Sequence, residues 1–226
     1  MRNHLFIVSD VHLGARFCKG EDFMAFLDIL PDDADLVLNG DTVTHMHRNL
    51  TDLHMQILER LRSESEKRDV VLMIGNHDPF YKYENTGKIR FLDKLILDDR
   101  ILIEHGHKAD WVRKIFLPII YLFHYSFKCA QALGAKPQPT SSIAKRLTFL
   151  FRNYTNIFLN SAARRCKRFE CDTVIFGHIH FAEDRFIKGV RYLNAGCWLD
   201  YPISYVEIQE GKCELKQFKG IVDDER

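Results

Sequence analysis

Residues able to hold metal ions or move protons recur in this 226-residue chain at one kind of place. Asp10 and His12 lie in SDVHLG, Asp41 in NGD, Asn76, His77 and Asp78 in GNHDP, His105 in EHGH, and His178 and His180 in GHIH. Each cluster follows a short apolar run, where the carboxyl end of a strand would open into a loop. Gly177 permits a turn, which would place both imidazoles of GHIH on a loop at a sheet edge. Five such loops are hard to explain as packing, because an apolar core has no use for so many polar groups at one edge. Mixed imidazole, carboxylate and amide donors suit Mn, Fe, Co, Ni or Zn better than Ca or Mg alone. Asp10, His12, Asp41, Asn76, His105, His178 and His180 make seven candidate ligands, too many for a single ion. Two ions about 3.5–4 Å apart that share a carboxylate would stabilise both the attacking and the leaving oxygen of a displacement at phosphorus.

The elements that must position these residues read as an α/β pattern. Apolar, β-branched runs at Leu5–Val8, Leu36–Leu38, Val70–Ile74, Ile101–Ile103 and Val174–Phe176 predict buried strands. Helical spacing falls between them at Phe23–Leu30 and at Leu53–Leu61, where Leu53, Ile57, Leu58 and Leu61 share a face. Strands alternating with helices predict a largely parallel sheet. After His180 the pattern changes to two hairpins, turning at Lys188–Gly189 and Glu210–Gly211, read as an antiparallel continuation packed as a second layer. Between His107 and Glu170, KPQPTSS separates two long helices, and Thr140 or Ser141 could cap the second. The first contains IFLPIIYLFHYSF, far short of the roughly 20 residues that span a bilayer.

Composition narrows the partners. The 46% hydrophobic content allows a sizeable core, in one domain over residues 1–226 with 107–170 as a helical insertion or lid. The net charge of +1 conceals an asymmetry: residues 107–170 hold twelve Lys or Arg against two acids, Asp110 and Glu170. That segment therefore carries a surplus of ten positive charges, and the remainder nine negative ones. Such a split suits a phosphate, a nucleic acid or a membrane headgroup; a solvated helix face is the plainer alternative. Six cysteines form no CxxC pair, and the opening residues lack a secretory pattern, so an intracellular protein with reduced thiols is expected.

In this order DVH, GD, GNHD, HGH and GHIH resemble the motif series of the calcineurin-like metallophosphoesterase superfamily. The resemblance implies a two-layer β sandwich flanked by helices. It also implies that Asp10, His12, Asp41 and His180 hold one ion, that Asp41, Asn76, His105 and His178 hold the other, and that Asp41 bridges them. A hydroxide held between the two ions would attack phosphorus, with Mn the first expectation and Fe, Zn, Co or Ni as alternatives. His77 is the candidate to donate a hydrogen bond or proton to the leaving oxygen, and Asp78 to orient it or raise its pKa. The superfamily often has an acid three residues after the bridging aspartate, where this chain has Thr44. His45 and His47 could reach substrate or metal-bound water or simply begin a helix, and His107 could support the site. His4, His54 and His124 read as structural.

The insertion and the run GHIHFAEDRFIKGVRYLNAGCWLD look like the bacterial UDP-2,3-diacylglucosamine pyrophosphohydrolase-like group of lipid A biosynthesis. That resemblance implies a lipid-linked nucleotide substrate, an acyl-chain pocket in the insertion, and a phosphate-binding rim at Arg152, Arg164, Arg165 and Arg168. With no secretory pattern, a cytoplasmic protein is expected, with peripheral contact at the inner face of the membrane through the insertion. The alternative for these helices is mutual packing or a dimer contact. Two departures weigh against direct transfer: a histidine after the motif asparagine, and HGH where that group has HGD. A nuclease or other nucleotide phosphodiesterase that uses the basic helices on nucleic acid stays open, as does a non-catalytic scaffold. A protein Ser/Thr phosphatase is disfavoured, because GDxVDRG and GNHE are absent.

Overall fold

In the computed structural model, residues 1–44, 50–78, 86–111 and 148–220 are described. The first basic helix expected after His107, together with His45, His47, Cys129 and the side chain of Arg152, lies outside them. Eleven strands and three helices are defined among the described residues. Strands β1 (His4–Val8), β2 (Asp35–Leu38) and β3 (Val70–Met73) are the first three apolar runs of the sequence. They alternate with helices α1 (Gly20–Asp28) and α2 (Asp52–Glu64). Strands β4 (Arg90–Leu92), β5 (Leu95–Leu97), β6 (Ile101–Ile103) and β7 (Thr173–Phe176) follow, with helix α3 (Thr148–Arg168) before β7. Two hairpins close the fold, β8 (Glu183–Ile187) with β9 (Val190–Asn194), and β10 (Ile203–Gln209) with β11 (Lys212–Phe218).

These strands form two sheets, ordered β11-β10-β1-β2-β3-β4 and β5-β6-β7-β9-β8. The hairpins turn where expected: Lys188, Gly189, Glu210 and Gly211 all have positive φ, as a two-residue turn matched to strand twist requires. They do not form a layer of their own, which corrects the sequence expectation. The β10–β11 hairpin joins the first sheet, with β10 antiparallel to β1, and β9 of the other hairpin runs parallel to β7 in the second. Two strands had no counterpart in the sequence reading, β4 and β5. Each is three residues long, and the chain passes from the first sheet to the second between them.

Period-two alternation decides what each strand faces. On β1, Leu5 and Ile7 turn inward to meet Val37, Val71, Ile103, Ile175 and Val206 between the sheets. Phe6 and Val8 turn outward onto Phe23, Phe26, Ile57, Leu61 and Trp198 beneath α1 and α2. The far face of the second sheet presents Leu102, Val174, Phe176 and Tyr192 to Phe158, Leu159, Ala162 and Cys166 of α3. The result is a β sandwich flanked by helices, a mixed α/β fold. Helix α2 starts on a capping box: Thr51 Oγ1 accepts from His54 N–H at 3.3 Å, and Thr51 N–H donates to His54 Nδ1 at 3.2 Å. The five cysteines among the described residues are all free. Among those residues no helix is long and apolar enough to cross a membrane.

Candidate metal centre

β1, β2 and β3 run parallel in one sheet, β6 and β7 run parallel in the other, and both sets open at the same end of the sandwich. Backbone contacts stitch the openings together: Asp10 N–H donates to Gly40 O at 3.0 Å, His12 N–H to Asp41 O at 2.9 Å, and Gly177 N–H to His105 O at 3.1 Å. Asp10, His12, Asp41, His178 and His180 all have φ between 52° and 69°. Non-glycine residues adopt this left-handed region at a cost on the order of 1 kcal/mol each, so the loops are strained where the polar side chains converge. Close approach is built in as well. A Cβ on Gly177 would lie 1.7 Å from Ser9 Oγ and 2.5 Å from Asp10 Oδ2, so no side chain fits between these loops.

Two clusters result. Asp10, His12 and His180 form one, and Asp41, His105 and His178 the other, with the ligand-type atoms of each within 4.8 Å of one another. In the first, His180 Nε2 lies 3.0 Å from Asp10 Oδ1 and 3.2 Å from His12 Nε2. In the second, His105 Nε2 lies 3.3 Å from Asp41 Oδ2. That same oxygen is 3.8 Å from His12 Nε2, so Asp41 faces both clusters. Among the described residues, the buried Asn76 Oδ1 has lone pairs with no hydrogen-bonding partner. Buried polar atoms left in this way cost on the order of 1–3 kcal/mol each unless a ligand takes them up. The chemistry of the gathered groups, imidazole nitrogen and carbonyl or carboxylate oxygen, fits divalent cations. The structure thus gathers six of the seven expected ligands into two groups and leaves Asn76 with an oxygen to offer.

Charge is strongly coupled across the centre. Burial alone would raise Asp10, but the imidazoles of His180, His105 and His12 hold its carboxyl well below the usual range. Asp41 is likewise held low, chiefly by His105 against the effect of burial. Burial lowers His105, yet Asp41 and Asp10 outweigh it and push the imidazole up to about 9. His180 is raised by Asp10 and Cys197 despite burial. His107 goes the other way, to about 4, through burial and the neighbouring His105 and His178. Its ring centroid is 5.5 Å from that of His105, so a neutral imidazole lines this side of the centre.

The neighbours predicted to tune the chemistry are partly redistributed. His77 is 3.9 Å from Asp41 Oδ2 through Nε2, its backbone N–H donates to Asp41 Oδ1 at 2.7 Å, and its side chain is 32% exposed. Asp78, the next residue, has a further role in the fold. The Asp78 carboxylate accepts from the backbone N–H groups of Asp41 at 2.6 Å, Val43 at 3.1 Å and Gly75 at 3.0 Å, pinning the β2 and β3 loops together. Thr44, which stands where an acid was expected, meets His12 Nδ1 at 3.3 Å and leaves Nε2 to the cluster. Of the expected phosphate rim, Arg165 is half-buried and paired with buried Glu104. Arg164 reaches Ser161 Oγ at 3.2 Å, and both it and Arg168 are exposed. Sequence reasoning missed Asp110, whose Oδ2 is 2.9 Å from His178 Nε2; its signal was its place as one of two acids in a basic segment.

A sequence profile of the calcineurin-like phosphoesterases matches residues 4–182. The chain belongs to the calcineurin-like phosphoesterase family. The matched region contains every candidate ligand from Asp10 to His180. No curated protein matches the chain. Among solved structures, vacuolar protein sorting 29 of Cryptosporidium parvum is similar at 14% identity, over 95% of this chain and 96% of that one, with a TM-score of 0.48. The nuclease MPE of Pseudomonas putida is similar at 19% identity, over 94% of this chain and 87% of that one, with a TM-score of 0.45. The phosphoesterase Yfce of E. coli is similar at 13% identity, over 96% of this chain and all (100%) of that one, with a TM-score of 0.46.

Proposed function

We propose that this calcineurin-like phosphoesterase is a dinuclear metal hydrolase that cleaves a phosphodiester or pyrophosphate bond, with manganese as its preferred ion. The observation that carries this reading is the position of Asp41 Oδ2, 3.3 Å from His105 Nε2 and 3.8 Å from His12 Nε2, between the two carboxylate–imidazole clusters. Two dications bound there would bring the pKa of a shared water toward neutrality and neutralise the phosphoryl oxygens. Asp10, His12 and His180 would hold one ion, Asn76, His105 and His178 the other, and Asp41 both. His77, beside Asp41 and open to solvent, is placed to hydrogen-bond the leaving oxygen and give it a proton.

For the substrate we favour a lipid-linked nucleotide of the UDP-diacylglucosamine kind, handled by a cytoplasmic protein that touches the membrane through its basic insertion. Support comes from the sequence resemblance and from the place of α3, whose Phe158 ring lies 6.1 Å from that of His178, with the adjacent Ile157 exposed. Nucleic acid is the second reading, supported by exposed Arg164, Lys167 and Arg168 along the same helix. Hydrolysis of bis-p-nitrophenyl phosphate with added Mn tests the class, and lipid-linked and free nucleotide diphosphates assayed side by side test the substrate. Asp41→Ala should abolish metal binding and activity together, whereas His77→Ala should retain metal and lose about 10²–10⁴-fold in rate. Equal metal loss in both variants contradicts the assigned roles. Silence of the wild type with every metal tested favours a scaffold.

A further inference from the structure

Three imidazoles of the centre are anchored through one ring nitrogen, and the anchors differ. His12 meets Thr44 Oγ1 through Nδ1 at 3.3 Å, and His105 meets the Asn39 carbonyl through Nδ1 at 2.9 Å. Both therefore offer Nε2 to their clusters. His178 is reversed: its Nε2 is the anchored atom, 2.9 Å from Oδ2 of Asp110, and the anchor is a carboxyl group. Asp110 is 1% exposed and is not a member of either cluster. The same Oδ2 accepts a hydrogen bond from Tyr154 Oη of α3 at 2.5 Å. An oxygen that takes a phenol O–H and faces an imidazole nitrogen acts as an acceptor toward both, so the ring proton belongs on Nε2.

Building on the metal-centre reading above, we infer that Asp110 is a positioning residue: it fixes His178 as the Nε2–H tautomer, turns the Nδ1 lone pair to the ion shared with Asp41 and His105, and is itself held by Tyr154. A carboxylate behind an imidazole orients the ring and raises its basicity as a ligand, and loss of such a partner weakens metal binding by about 10- to 100-fold. Tyr154 extends the chain of contacts to α3, so the basic helix and the metal centre share one hydrogen-bonded unit. Asp110→Asn is the informative variant. It preserves shape, but an amide can accept from or donate to Nε2, so the ring is released to either tautomer.

Long-range ¹H–¹⁵N spectra of histidine-labelled, metal-free protein, with His178 assigned through His178→Gln, should show Nε2–H in the wild type and a population of Nδ1–H in Asp110→Asn. A wild-type ring protonated at Nδ1 alone, or the same tautomer in both proteins, overturns the inference. Calorimetric titration with Mn²⁺ should show two sites in the wild type, and in Asp110→Asn one of them weakened about 10- to 100-fold beside an unchanged one. Two unchanged sites, or equal loss at both, overturn it as well. Tyr154→Phe leaves Asp110 in place and should weaken the same site by a smaller factor; unchanged affinity removes Tyr154 from the unit. A wild type that binds no Mn²⁺ sinks the metal-centre reading, while the spectra still report on Asp110 and His178.

Discussion

His105 shows how far single residues determine the centre. Its Nδ1 is held by the Asn39 carbonyl at 2.9 Å, and its Nε2 faces Asp41, which with Asp10 pushes the imidazole up to about 9 despite burial. Below that value the metal-free ring carries a proton on the nitrogen a cation needs. An incoming dication must therefore displace it, and affinity should climb about tenfold per pH unit for each proton released, levelling off above about pH 9. Calorimetry at pH 7 in two buffers of different ionisation enthalpy should report at least one proton released per ion at the Asp41, His105 and His178 cluster. An absence of release would mean that His105 is not a ligand. The residues of the two clusters were legible in the sequence as candidate ligands, because each stands within a few residues of an apolar run that ends at the site. Their supports were not. Thr44 meets His12 across 32 residues and Asp110 meets His178 across 68, and nothing local marks such pairs. The three backbone N–H groups that Asp78 accepts from were equally out of reach of the sequence, where only its adjacency to His77 shows.

At the scale of elements, the loops rather than the strands are under tension. β1, β2, β3, β6, β7 and both hairpin turns could be read from periodicity and turn chemistry, since each has an apolar run or, at the turns, a residue–glycine pair in the sequence. β4 and β5 could not: they are three residues long and partly exposed, and pairing with β3 and β6 defines them as strands. Gly177 tests the tension directly. Alanine there would put a methyl group 1.7 Å from Ser9 Oγ, between two loops that have no room to separate without moving Asp10. A loss of about 2–3 kcal/mol, a fall in melting temperature of roughly 5–10 °C, is expected together with weaker metal binding. At Gly211 a new Cβ meets nothing within 4 Å, so Gly211→Ala should cost only the left-handed backbone penalty, about 1–2 kcal/mol, and leave metal binding intact. Thermal melts of both variants, with and without Mn, separate the two effects; equal behaviour would mean the Gly177 loop has slack.

The whole molecule depends on which sheet each hairpin joins, a choice that local pattern does not encode. Phe6 pairs with Glu207 in register, and β10 thereby closes the first sheet beside β1, while β9 extends the second beside β7. An apolar layer joins the sheets along their length. At the open end they meet through polar groups: Asp10, His12 and Asp41 come from the first sheet, and His105, His178 and His180 from the second. Cations held there would be bonded to both sheets at once and would favour only the folded arrangement. A ligand at about 100 times its Kd stabilises by about 2.7 kcal/mol per site, so two sites add about 5 kcal/mol. For a chain of this size that is a rise in melting temperature of roughly 10–20 °C between chelator and saturating Mn. Asp41→Ala should lose nearly all of the rise, because it removes a carboxylate oxygen that faces both clusters, whereas His77→Ala should keep it. Hydrogen exchange should slow on metal binding in the loops after β1 and β2 and equally in those after β6 and β7. Protection confined to one sheet would show an ion bound at its edge, and the paired centre would then have to be abandoned.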